Sequence, residues 1–76
     1  MFINHKIMKW PPTSCWTSPK TLNGNRHFFV KNYGGKFDKR WVEIFPTKDK
    51  KDIFRISWDE LKTNWTSGWL QLPKDF

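Results

Sequence analysis

One thiol, two imidazoles and seven carboxylates are the side chains from which this 76-residue chain would have to build catalysis or a metal site. They are scattered. The histidines are His5 and His27, with no Cys-x-x-Cys and no His cluster, so the spacing of a zinc site is missing. Cys15 and His27 could in principle pair as nucleophile and base. Each has a plainer use: His27 opens an apolar run where an imidazole packs or hydrogen-bonds, and a lone thiol behaves as a small buried hydrophobe. Asp59 and Glu60 stand two and three residues after Ser57, the spacing of a helix capping box, which accounts for both. No catalytic residue, cofactor site or metal ligand is therefore expected, and the chain is read as a non-enzyme. The single Cys also excludes a disulfide framework.

A second kind of chemistry is better supplied. The chain carries 14 Lys and Arg against seven acids, a formal charge of +7, together with six Trp, seven Phe and one Tyr. The charge is local. Residues 1–27 hold four basic groups and no acid, residues 28–52 seven against four, and residues 53–76 three against three. Mobile cations contact phosphates, and single strands additionally stack their bases on flat aromatic faces. The residues of those types are Lys31, Tyr33, Lys36, Lys39, Arg40, Trp41, Lys48, Lys50, Lys51 and Arg55, which form the candidate nucleic-acid or partner-binding set. No ribonucleoprotein motif accompanies them.

The elements that must position these groups follow from periodicity. His27–Tyr33, Arg40–Phe45 and Ile53–Trp58 have strand composition, ended by Gly34-Gly35, by Pro46 and by the capping box. Ser14–Thr17 reads as a further short strand that Ser18-Pro19 ends, and Asn23-Gly24 is a turn signal. Short connections favour an antiparallel meander. A helix is expected from about Trp58 to Asn64. Trp58, Leu61, Trp65, Trp69 and Leu72 keep helical spacing beyond it, but Thr66-Ser67-Gly68 argues for a break, with Gly68 at or past the helix end.

Alternation gives the sheet two faces. Phe28, Val30, Val42, Ile44, Phe54, Ile56 and Trp58 make one, plainly a core. Phe29, Lys31, Tyr33, Trp41, Glu43, Phe45, Ile53 and Arg55 make the other, aromatic and interleaved with charge. Two outcomes are open for that second face. It is a stacking platform, or Trp10, Trp16, Trp65 and Trp69 cover it and turn it into a second core layer, as in a small closed barrel.

Ser14-Cys15-Trp16-Thr17, Pro19, His27-Phe28-Phe29-Val30 and the run Trp58-x-x-Leu61-x-x-x-Trp65-x-x-Gly68-Trp69 resemble a group of small tryptophan-rich proteins of cyanobacteria and some marine bacteria. The resemblance covers about residues 14–70. This chain adds Trp10 and Trp41, and has Cys15 where the group more often carries a basic residue. The resemblance implies one tryptophan-rich domain and brings no reaction, cofactor or partner with it.

The expected architecture is mainly β: a small antiparallel meander or SH3-like, partly closed barrel of three to five strands with one short C-terminal helix. Residues 1–13 form a basic and apolar arm, 14–72 the domain and 73–76 a tail. No run is long and apolar enough to span a membrane. The opening residues mix charged and apolar types, unlike a leader, so a cytoplasmic location is expected, and Asn64-Trp65-Thr66 is read as an accidental glycosylation acceptor. The arm is too short before Pro11 for a persuasive membrane-surface helix. The expected function is a small basic binding module that prefers nucleic acid, either RNA or single-stranded DNA. Docking on a larger acidic protein or complex is the alternative, and no small-molecule substrate is expected.

Overall fold

The structure, a computed structural model, describes residues 10–71. Five strands, β1 (Cys15–Leu22), β2 (Asn25–Gly34), β3 (Trp41–Pro46), β4 (Phe54–Ser57) and β5 (Thr66–Ser67), form one antiparallel sheet in the order β4-β3-β2-β1-β5. The sheet is an open meander, extended at the β1 edge by β5. A 3₁₀ turn (Phe37–Lys39) lies between β2 and β3, and the helix α1 (Trp58–Asn64) between β4 and β5. Among the described residues no helix is long and apolar enough to cross a membrane.

Local chemistry accounts for most boundaries. Asn23 and Gly24 both adopt positive φ, at 51° and 79°, the two-residue hairpin geometry that Asn-Gly favours, and Leu22 pairs with Asn25 across it. Ser57 caps α1 by accepting a hydrogen bond from the Glu60 N–H at 3.1 Å. The Trp58 N–H donates to the Arg40 carbonyl at 2.9 Å, which ties the helix start to the entrance of β3. Gly68 stands three residues past the cap residue Trp65 with φ +85°, where a non-glycine residue would be strained.

The core lies between the sheet and α1. Trp16, Phe28, Val42, Ile44, Trp58, Leu61 and Trp65 are buried there, with Trp10, Leu22, Val30, Phe54 and Ile56 packed around them. β3 alternates half-buried and buried residues along its whole length, as a strand with one core face must. Edge-to-face aromatic pairs fill the layer: Phe28 with Trp65 at 5.2 Å, Phe28 with Phe54 at 5.9 Å and Trp16 with Trp58 at 6.0 Å. Such geometry sets the positive edge of one ring against the negative face of another.

Three expectations need correction. β1 does not stop at Ser18-Pro19 but runs through it to Leu22, with its register shifting between Thr17 and Leu22. Proline cannot donate to a ladder, and an irregularity that withdraws its position from pairing tolerates it. Trp10, Trp16 and Trp65 do not cover the second face, because all three pack on the helix side. Tyr33 also changes side. The β2–β3 register slips at Lys31, so Val30 pairs with Ile44 but Tyr33 with the buried Val42, and the Tyr33 ring meets Trp10 edge-on at 5.4 Å. Residues 1–9 and 72–76, which include most of the expected arm and the tail, lie outside the described residues.

Candidate binding face

The face opposite the helix has two unlike halves. Over β1 and β2, the segment Gly68–Leu70 folds around the sheet edge and lies across the strands. The Gly68 N–H donates to the Cys15 carbonyl at 2.7 Å. The buried Thr17 hydroxyl donates to the Gly68 carbonyl at 2.8 Å and accepts from the Leu70 N–H at 3.0 Å. Trp69 Nε1 donates to the Phe28 carbonyl at 3.2 Å, and His27 Nε2 lies 2.7 Å from the Leu70 carbonyl. This strap brings the Trp69 ring to 4.8 Å from Phe29 and stacks it on His27 at 5.8 Å, while Phe29 meets Phe45 at 5.6 Å. Trp69 remains 45% exposed, so the strap covers Phe29 and presents a fresh indole in its place.

Over β3 and β4 no described segment covers the sheet. Trp41 lies there half-buried, packed onto Gly34 beneath it, with the Arg55 guanidinium carbon 3.8 Å from its ring centroid. Arg55 Nη2 also donates to Glu43 Oε2 at 3.1 Å. The guanidinium expected to meet phosphate is thus already shared between an indole and a carboxylate.

The candidate cations do not form one patch. In an antiparallel meander alternate turns share an end of the sheet, so Lys48, Lys50 and Lys51, in the turn after β3, adjoin the β1–β2 hairpin. Lys36, Lys39 and Arg40 sit at the opposite end, a strand length of about 20 Å away for six residues. Lys31 is exposed at the β2 irregularity between them. Arg40 is half-buried, with its guanidinium carbon 4.9 Å from the Trp10 centroid. Cys15 and His27 do not assemble as nucleophile and base: Cys15 Sγ lies 3.8 Å from Ser14 Oγ, and the His27 ring serves Trp69 and Leu70.

Among the described residues a cavity lies at each end of the sheet. At the hairpin end, one of about 250 Å³ is lined by Thr21, Gly24, Asn25, Arg26, His27, Thr47 and Lys48. At the other, one of about 450 Å³ is lined by Phe37, Asp38, Arg40, Trp58, Asp59 and Lys62, with both signs of charge. Arg26, His27 and Trp69 stood outside the candidate binding set, although an exposed Trp69 would suit docking on an acidic partner. Counting alternate turns onto one end of the meander would have placed Arg26 beside Lys48; the Thr66-Ser67-Gly68 break takes Trp69 off the helical stripe, but where its ring lands is decided by the hydrogen bonds of the strap.

Comparison with curated proteins and with solved structures gave no match. Residues 14–70, which span the whole sheet, the helix and the strap, match the tryptophan-rich protein family DUF2389, and the chain belongs to that family.

Proposed function

We propose that this domain is a non-catalytic module that binds single-stranded nucleic acid across the face opposite the helix. The observation that carries this is one juxtaposition: the exposed Trp69, with His27, Phe29 and Phe45 behind it, lies toward the sheet end where Lys48, Lys50 and Lys51 are gathered. Bases stack on exposed indoles whatever their sequence, and clustered cations release counterions from phosphates. Lys36, Lys39 and Arg40, at the far end, are not needed for a short strand.

Titrating the full chain with a short single-stranded oligonucleotide at several salt concentrations tests the proposal. Four phosphate contacts would give a log–log slope of about −3. No binding of either RNA or DNA at low salt would overturn it.

Docking on a larger acidic protein has one observation in its favour. Phe37 is 82% exposed between Lys36 and Lys39, and an exposed aromatic among cations suits an interface anchor. Capture of the same protein partner before and after nuclease treatment, lost on Phe37→Ala, would favour that reading over the first.

A further inference from the structure

Trp41 is held between two unlike neighbours. Beneath it lies Gly34, so close that a Cβ there would stand 2.6 Å from Trp41 Cζ2. On its outer side the Arg55 guanidinium carbon lies 3.8 Å from the ring centroid, a van der Waals stacking distance. Both sides of the indole are thus occupied, and the outermost flat surface of this stack is the guanidinium. We propose that Arg55 is a second base-stacking station, which receives one base of a single strand on its guanidinium plane while another base uses Trp69. The identity of the strand rests on the nucleic-acid proposal above; the geometry of the station does not depend on it.

Arg55 is placed to act as a platform and not as a phosphate contact. Its charge is already matched, because Nη2 donates to Glu43 Oε2 at 3.1 Å and the two residues are direct partners across β3 and β4. A paired guanidinium draws a phosphate weakly, yet its plane still accepts the face of a base. Its orientation is set twice, by the indole under it and by the carboxylate at its edge, so little side-chain freedom remains to be lost on binding. It is also open. The Arg55 side chain is 56% exposed in spite of both contacts, and β4 is the last strand on its side of the sheet, so no strand lies beyond it.

The station shares a face with Trp69. Trp41, Glu43 and Phe45 alternate with the buried Val42 and Ile44, and Phe45 meets Phe29, on which Trp69 rests. Trp41 and Phe45 are four positions apart in β3, about 13 Å along a strand. One base cannot serve both places, so a strand leaving Trp69 along β3 meets Arg55 with a later base. Arg40 is the internal contrast. It also lies over an indole, that of Trp10, but it is half-buried with its Nε enclosed, so it belongs to the packing.

The deciding change is Arg55→Lys, which keeps the charge and loses the plane. When the full chain is titrated with a single-stranded oligonucleotide, Arg55→Lys should weaken binding about five-fold to a hundred-fold, the range of one stacked base, with the salt slope unchanged. A strand of equal length that lacks bases should bind the parent and the variant alike. Adenosine, which carries no phosphate, should shift the Trp41 indole N–H and the Arg55 Nε–H of the parent in NMR, a readout free of any effect of substitution on folding. Unchanged oligonucleotide affinity in Arg55→Lys would overturn the station and leave the general proposal standing. So would a salt slope reduced by about 0.7 in Arg55→Gln, the value of one single-strand phosphate contact. Adenosine shifts at Trp41 and Arg55 with no oligonucleotide binding would retain the station and overturn the strand. No shift of these two groups with either probe would end the inference.

Discussion

Gly34 is the bed on which Trp41 lies, and enlarging it should dislodge the indole. The two residues are partners across β2 and β3. A Cβ built on Gly34 would stand 2.6 Å from Trp41 Cζ2 and 3.0 Å from Cε2. Carbon atoms prefer about 3.5–4.0 Å, so the ring must retreat by about 1 Å. On its outer side the ring meets Arg55, whose guanidinium carbon lies 3.8 Å over the centroid, so a retreat disturbs that contact. Overpacking of this kind costs about 1–3 kcal/mol, and loosening an exposed cation–π contact adds about 0.5–1 kcal/mol. Replacing glycine within a strand returns about 0.5–1 kcal/mol. The last two terms roughly cancel, so Gly34→Ala should lose about 1–3 kcal/mol net, which at roughly 4–8 °C per kcal/mol is a fall of about 4–24 °C in Tm. Thermal unfolding followed by circular dichroism reads this directly. The decisive comparison is the same change on Trp41→Ala, where the obstacle is absent and Gly34→Ala should be neutral or slightly stabilising. An equal loss in both backgrounds would refute the reasoning, because the backbone and not the indole would then be responsible.

Other consequences can be measured with the same unfolding assay and simple spectroscopy. Thr17→Val keeps the shape of the buried residue but removes both hydrogen bonds that hold the strap. It should cost about 1–3 kcal/mol and increase acrylamide quenching of Trp69, scored against Trp69→Phe; unchanged quenching would show that the strap is held by other contacts. Ser57→Ala removes the acceptor for the Glu60 N–H and should cost about 1 kcal/mol, with Ser57→Asp restoring most of it. Phe37 holds φ +54° while 82% exposed. Phe37→Gly relieves a left-handed conformation worth about 1–2 kcal/mol and gives up little burial, so stability should hold or rise; a loss above about 2 kcal/mol, the scale of a buried aromatic, would contradict that exposure.

The half-covered face gives the proposed function a physical shape. Thr17, Phe28 and His27 bind the strap through a few hydrogen bonds to its backbone and indole, while the opposite side of the sheet is secured by seven buried side chains. Disturbing Trp69 is thus separable from unfolding the domain. That separation allows the binding experiments to be read without ambiguity about folding.

Much of the fold was legible because its causes are local. The Asn23-Gly24 hairpin, the Ser57 cap, the Trp58–Asn64 helix and the alternation that buries Val42 and Ile44 all depend on chemistry within a few residues. Composition and charge likewise show, without coordinates, a chain rich in cations and aromatics. The candidate site was legible only as residue types. Tyr33 shows why: one irregularity at Lys31 sends its ring to the helix side, since a one-residue slip inverts a strand's faces. Trp69 shows it again, continuing the spacing of Trp58, Leu61 and Trp65 while bonding to the far side of the sheet. Arg26 and Lys48, 22 positions apart in sequence, share a cavity because two turns leave the sheet at one end. Register, face and end are settled by pairing between strands distant in sequence, and that pairing is a property of the assembled sheet rather than of any segment within it.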